Sequence, residues 1–194
     1  QAYSANIDFH KTSDKHKLFY GIEFVQNDVT SKGSAIDIRT NDQIPVSDRY
    51  PQSVWKSYGA YLSYQYLLSE KFIVQSGIRY NQFDLSSDFS RNLQFYPFNF
   101  SKAEINNNAT TGTLGIIIKP EESWTISING ATGFRAPNVD DIGKIFDFAA
   151  GEVVMPNPNL NAEYAYNGEL NISKIFGDIF KVNLSAFYRS EEHT

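Results

Sequence analysis

Residue types that carry catalysis are scarce in this sequence of 194 residues and do not cluster. There is no Cys, which excludes a thiolate zinc site, an iron–sulfur cluster and a Cys nucleophile. His10 and His16 flank one short predicted turn, and His193 lies among the last residues. No Gly-x-Ser-x-Gly motif occurs. The sequence therefore predicts neither an enzyme nor a bound cofactor.

Polar residues that could bind a ligand gather in one loop. Arg135 has a planar guanidinium that suits a ligand carboxylate, although we favour a role in tying down its own loop. Asp140, Asp141, Asp147 and Glu152 follow it. Their spacing matches no EF-type calcium loop, so we interpret them as a solvated acidic loop and expect no metal site.

A short helix is predicted inside this loop. Asn138 can cap it, and acidic residues follow in its first turn, where the helix dipole favours negative charge. Its apolar face would carry Ile142, Ile145 and Phe146. That face must dock on another part of the protein.

Most of the chain has a period-two pattern that positions this loop. Apolar and polar residues alternate through eight segments, which predicts antiparallel β-strands and disfavours helix. The segments are Ala2–His10, Lys17–Gln26, Ser57–Leu67, Phe72–Phe83, Thr110–Lys119, Trp124–Thr132, Glu163–Lys174 and Ile179–Tyr188. The predicted fold class is therefore all-β.

The connections alternate between short and long. The short ones are Lys11–His16, Ser69–Lys71, Pro120–Ser123 and Ile175–Asp178. The long, polar ones are Asn27–Val54, Asp84–Ala109 and Gly133–Ala162. A soluble sandwich has no reason to keep its short turns at one end, whereas a transmembrane β-barrel has short periplasmic turns and long extracellular loops.

The composition of the two strand faces favours the same fold. The polar face is rich in Gly, Ser, Thr, Asn and Gln, which suits a barrel lumen better than a water-exposed surface. Aromatic residues near the strand ends are candidate interfacial girdles. Arg79, Glu163 and Glu169 have the parity of the polar face. We expect them to face the lumen and make polar contacts there.

The overall composition excludes other classes of protein. The formal net charge is −5 and no basic stripe occurs, which argues against nucleic-acid binding. Aromatic residues make up 15% of the chain, which argues against disorder. The only Met is Met155 and the chain opens at Gln1, so we expect an internal piece of a longer protein, and the missing signal peptide says nothing about secretion.

Two motifs lie in the third long loop, with further characteristic residues between and after them. The segments are Phe134–Pro137, Asp141–Asp147, Asn157–Leu160 and Glu163–Tyr164. Together they resemble the barrel domain of TonB-dependent outer-membrane receptors. The resemblance is strong from Trp124 to Tyr188, and it looks most like the haem and haemoprotein branch of that family.

This resemblance implies a fragment of about eight strands from a plugged barrel of the 22-stranded class. The whole protein would lie in the bacterial outer membrane, in contact with its lipid. It would take up a scarce nutrient such as haem or a ferric siderophore, presented free or on a haemoprotein. An N-terminal plug, absent here, would contact the lumen and couple transport to TonB.

Ligand-binding candidates follow from the position of the two motifs. They are Arg135, Met155, Asn157 and Asn159. Receptors of the haem branch typically carry a ligand His between the motifs, and none lies between Asn138 and Pro156. The Met155 thioether could ligate haem instead. The alternative role for Met155 is packing within its own loop. For Asn157 and Asn159, turn chemistry is the local alternative.

Residues 189–194 break the alternation of the last strand and resemble a translated sequencing adaptor. We therefore expect residues 1–188 to form the barrel segment and residues 189–194 to be a non-native tail.

The main alternative to a receptor fragment is a complete small eight-stranded outer-membrane barrel with an adhesion or structural role. An outer-membrane hydrolase and a soluble carbohydrate-binding sandwich are further alternatives, the first opposed by the absence of His near any long loop.

Overall fold

The computed structural model describes residues 1–143, 147–149, 152–153, 157, 159–177 and 179–192. Strands dominate these residues, and one short helix, α1, spans Val139–Gly143. The long strands are β1 (Ala2–Thr12), β2 (His16–Val29), β5 (Gln52–Ser69), β6 (Phe72–Asp88), β7 (Lys102–Ile118), β8 (Trp124–Arg135), β11 (Glu163–Phe176) and β12 (Phe180–Glu192). The short strands are β3 (Ala35–Ile36), β4 (Gln43–Ile44), β9 (Asp147–Ala149) and β10 (Glu152–Val153).

The eight long strands form one antiparallel sheet in the order β1-β2-β5-β6-β7-β8-β11-β12. Each long strand pairs with the next long strand along the chain, which confirms the predicted antiparallel fold. β1 and β12 lie at opposite ends of the described sheet and do not pair with each other. The described residues contain no helix that is long and apolar enough to span a bilayer.

Several strands are longer than predicted at the ends that lead into the long loops. β6 continues to Asp88, and β7 begins at Lys102 rather than at Thr110. The start of β7 contains a polar run, Asn106–Asn108, which hides the alternation in the sequence. Backbone pairing with β6 nevertheless persists along this whole segment, because ladder hydrogen bonds do not depend on apolar side chains.

The last strand also exceeds its predicted end. β12 continues to Glu192, whose Cα partner is Tyr164 of β11. Arg189 forms an ion pair with Glu191 at 2.6 Å. The non-native origin of residues 189–194 stays a prediction.

The two faces of the sheet differ sharply. One face, which we call the apolar face, carries large side chains that remain exposed, for example Ile7 (55%), Ile22 (58%) and Leu114 (61%). It continues across the sheet through Leu62, Ile78, Ile116, Ile128, Leu170, Val182 and Leu184. The opposite face, the polar face, carries hydrogen-bonded polar residues.

The loops sort to the two ends of the sheet as predicted. The short-turn end holds residues 13–15, 70–71, 119–123, 177 and 179, and the long-loop end holds residues 30–51, 89–101 and the described residues between 136 and 162. Gly177 has φ of 54°, which allows the tight reversal between β11 and β12. The buried core lies at the long-loop end rather than in the middle of the sheet. We call it the loop core: Leu85, Phe89, Phe98, Ala103, Ile105, Val139 and Ile142.

Candidate functional site

Arg135 ties the start of the third long loop to its end. Arg135 is the last residue of β8, and its guanidinium donates to Oδ1 of Asp141 in α1. The guanidinium also donates to Oε2 of Glu163, the first residue of β11, at a distance of 3.3 Å. Pairing between β8 and β11 places Glu163 opposite Arg135 in the ladder. The favoured interpretation, that Arg135 holds its own loop, therefore agrees with the structure.

Helix α1 begins with a reciprocal cap. The backbone N–H groups of Asp140 and Asp141 donate to Oδ1 of Asn138, at 2.7 and 3.2 Å. The Asp141 carboxylate in turn accepts from the backbone N–H of Asn138 at 3.0 Å. These bonds satisfy N–H groups that a helix start leaves unpaired, and they therefore define where α1 begins.

The apolar side of α1 docks on the second long loop. Ile142 has no exposed surface and packs in the loop core with Phe89 and Phe98. The ring of Phe89 meets Phe98 edge-on, with centroids 6.0 Å apart. The predicted docking of the helix is confirmed for Ile142. Ile145 and Phe146, predicted on the same face, lie outside the described residues.

A polar cluster joins the first and second long loops. The buried carboxylate of Asp48 accepts from the backbone N–H of Gly33 at 2.8 Å and lies 3.2 Å from Nε of Arg91. Asn92 is also buried, and its Nδ2 donates to Oγ of Ser47 and to the carbonyl of Asp48 at 2.8 and 2.9 Å. This cluster is not predictable from the sequence, because its members share no motif and lie in two different loops.

Replacing Asn92 by Ala should loosen this connection between the loops. The change removes the donor to the hydroxyl oxygen of Ser47 and one of two donors to the carbonyl of Asp48, which keeps only the Ser47 hydroxyl at 3.1 Å. We therefore expect a loss of about 1–3 kcal/mol in loop stability. Amide hydrogen exchange of residues 45–50 measures this loss. The matched control is Gln94→Ala in the same loop, since Gln94 is exposed and makes one long bond, of 3.4 Å, to Arg91. Equal exchange in the two variants would contradict the prediction.

A cleft of about 630 Å³ opens where the first and third loops meet the ends of β1, β2 and β5. Tyr50, Trp55 and Asp140 line it, together with the end of β2. A hydrogen bond to Asp140 raises the pKa of the Tyr50 hydroxyl above its ordinary value. The cleft thus combines aromatic rings with carboxylates, which suits a ligand with flat rings and hydrogen-bond donors.

The remaining ligand candidates take local roles or lie outside the described residues. Oδ1 of Asn157 accepts from the backbone N–H of Asn159 at 3.0 Å, which is the turn chemistry given as the local alternative. Both side chains are exposed. Met155 lies outside the described residues. The described residues hold no cluster of three or more His, Asp or Glu side chains that could hold a metal ion.

Two side-chain hydrogen bonds on the polar face join strands that are not neighbours. Each bond passes over a glycine of the strand that lies between. Nη2 of Arg79 in β6 donates to Glu23 in β2 at 2.7 Å, and a Cβ at Gly59 in β5 would lie 2.6 Å from that nitrogen. The hydroxyl of Tyr61 likewise donates to Asp8 at 2.7 Å.

In the second contact, the strand that is crossed is β2. A Cβ at Gly21 would lie 2.6 Å from Oδ1 of Asp8. It would also lie 2.6 Å from the backbone carbonyl oxygen of Ile7, so glycine is required at position 21. At position 59 a Cβ would displace the flexible end of Arg79 and disturb its contact with Glu23. Glu169, the other acidic candidate of this face, accepts from Nδ2 of Asn171 at 2.8 Å.

Comparison with known proteins gives a consistent result. The family model described as "TonB dependent receptor-like, beta-barrel" matches residues 1–190. Similar solved structures include the copper transporter OprC, with 16% identity and a TM-score of 0.78 over 96% of this chain and 28% of that chain. The siderophore receptor PiuA from Acinetobacter baumannii has 18% identity and a TM-score of 0.68 over 97% of this chain and 31% of its own.

A third similar structure is a double mutant of the Serratia marcescens hemophore receptor HasR in complex with its hemophore HasA and heme. It shares 13% identity and a TM-score of 0.68 over 96% of this chain and 31% of its own. The chain thus spans about a third or less of the length of these structures. At these identities the likeness shows the shared fold.

Proposed function

This chain belongs to the TonB-dependent receptor-like β-barrel family, and on that premise we propose that it forms eight consecutive strands of the wall of an outer-membrane receptor. The receptor takes up a scarce nutrient such as haem or a ferric siderophore, and the energy comes through TonB. The short-turn end faces the periplasm and the long-loop end faces the outside of the cell. Family members are receptors and transporters, and we propose no catalytic activity.

The observation that carries this proposal is the exposed apolar face. Ile22, Leu62 and Leu114 are aliphatic side chains that a water-soluble sheet would bury, yet all three are exposed on the same face of the sheet, on β2, β5 and β7. If this face contacts the hydrocarbon of a bilayer, the side chains are not exposed to water and the free-energy cost of that exposure disappears. The hydrogen bonds between the antiparallel strands satisfy the backbone N–H and C=O groups within the bilayer. The apolar face is therefore the lipid-facing surface of the barrel.

The polar face lines the lumen and contacts the plug in this proposal. The pair Arg79–Glu23 is only half-buried against its own strands, with side chains 35% and 39% exposed. Charged groups in that position can exchange partners with polar groups of a plug when it shifts. Glu163 and Glu169 face the same space, and they complete the set of residues that we assign to the lumen.

The ligand site lies at the long-loop end. We assign it to the cleft of Tyr50, Trp55 and Asp140, with Asn157 and Asn159 on the exposed part of the third loop. Arg135 supports the site by fixing α1. The similar structures are named for copper, a siderophore and heme, so the fold by itself is compatible with different cargoes.

Growth under iron restriction tests the proposal. A deletion of the full-length gene should abolish growth on one iron source, either haemin or a ferric siderophore, and a tonB deletion should give the same loss. Growth that is unaffected on every iron source would count against iron uptake, and import that persists without TonB would exclude the energy source.

A substitution in the cleft tests whether the cleft is the ligand site. Asp140→Asn should weaken binding of the identified ligand about tenfold, the effect of losing roughly 1.4 kcal/mol of contact energy. Asp42→Asn is the matched control, because Asp42 is exposed in the first loop and does not line the cleft. Equal affinities of the two variants would place the ligand elsewhere.

A further inference from the structure

One lysine on the apolar face is held between aromatic rings at the short-turn end. The Nζ of Lys174 in β11 lies 4.3 Å from the ring centroid of Trp124 and 5.1 Å from that of Phe176. Trp124 is the Cα partner of Lys174 in the neighbouring strand β8. Phe176 in turn stacks on Phe180 of β12, with centroids 4.9 Å apart. The ammonium group is thus fixed at one place on this face.

The charge of Lys174 is not neutralised by any described residue. The ion pairs of the described part of the chain do not include it. Aromatic faces attract a cation without cancelling its charge, so Lys174 keeps its capacity to bind an anion.

Apolar side chains continue from this cluster along the sheet. Val182 and Leu184 of β12 are exposed, and Leu184 pairs with Ile172 of β11, two residues from Lys174. A cation at the edge of an apolar strip matches an amphiphile with an anionic head and a hydrocarbon tail.

We propose that Lys174, with Trp124 and Phe176, binds the headgroup phosphate of an anionic phospholipid, whose acyl chain lies along Ile172, Val182 and Leu184. This inference rests on the proposed function, because it requires the apolar face to contact a bilayer. The phosphate forms an ion pair with Nζ, and the indole of Trp124 holds the lysine side chain toward the membrane boundary.

Lipid binding to the full-length protein in nanodiscs tests the inference. The probe is phosphatidylglycerol mixed into phosphatidylcholine, and the readout is the amount of phosphatidylglycerol that native mass spectrometry finds bound after release. Lys174→Gln should lower this affinity about fivefold, which corresponds to the electrostatic attraction of one lysine near a membrane surface. Lys174→Arg should restore it, since the charge and the ring contacts remain.

Lys181→Gln is the matched control. Lys181 lies in β12 beside Val182, the Cα partner of Lys174, and its side chain is on the opposite face of the sheet. The Lys181→Gln substitution removes the same charge at the same level along the strands and should leave lipid binding unchanged. Equal losses in Lys174→Gln and Lys181→Gln, or no loss in either, would overturn the inference.

The outcome separates this inference from the proposed function. A protein that stays in solution without detergent and does not enter nanodiscs would contradict the outer-membrane placement itself. A protein that inserts and shows heat-modifiable migration, but binds phosphatidylglycerol no better than phosphatidylcholine, would leave the placement intact and exclude the lipid site.

Discussion

Replacing Ile142 by Ala should detach α1 from the loop core and unlock the third long loop. Ile142 is fully buried, and removal of a buried aliphatic side chain of this size costs about 2–5 kcal/mol. Because α1 has only five residues, its cap cannot hold it without this contact. We expect amide exchange of residues 139–143 to approach that of an open loop, and the loop to become sensitive to proteolysis.

The matched control for this variant is Ile38→Ala. Ile38 lies in the first long loop and is 97% exposed, so the same change of side chain should alter stability by less than about 0.5 kcal/mol. The barrel wall should remain assembled in both variants, because the strands pair independently of α1. Full protection of residues 139–143 in Ile142→Ala would contradict the assignment of Ile142 as the anchor of the loop.

Replacing Leu114 by Arg should block or weaken membrane assembly. Leu114 lies on the apolar face, where the sheet would contact hydrocarbon, and an arginine near the bilayer midplane costs about 2–4 kcal/mol in a barrel. Urea unfolding of the full-length protein in lipid vesicles measures the loss, and the amount of heat-modifiable protein in outer membranes gives a second readout.

The neighbouring residue provides the control. Thr113 is also exposed but lies on the polar face, where its hydroxyl donates to Asn129 at 3.0 Å. Thr113→Arg should therefore assemble with much smaller loss. In water the two exposed positions would tolerate arginine equally, so equal stability of the two variants would show that the apolar face does not contact lipid.

Much of the fold was predictable because strand periodicity can be read directly. The alternation in Ala2–His10 or Trp124–Thr132 assigns each side chain to a face without knowledge of its neighbours. Strand ends were less predictable where polar residues continue a strand, as at Asn106–Asn108 in β7. There the pairing is maintained by the backbone, which leaves no trace in the side-chain pattern.

The candidate site was only partly predictable. The cap by Asn138 was visible because capping is a local contact, within three residues. The Asp48–Asn92 cluster and the cleft beside Tyr50 were not visible, because their residues come from loops separated by whole strands. The role of Arg135 lay between these cases, since Asp141 is near in sequence whereas Glu163 is 28 residues away.

The sequence by itself determined the number of strands in the main sheet, the apolar and polar faces, and the separation of short turns from long loops. These features depend on residues that are adjacent or two apart, so the pleat of the backbone translates them directly into geometry. Only the tertiary structure decided that Ile142 packs on Phe89, that glycines at positions 21 and 59 leave room for Tyr61 and Arg79, and that Lys174 meets Trp124. Such contacts require strand register and loop closure, which bring together residues far apart in the chain.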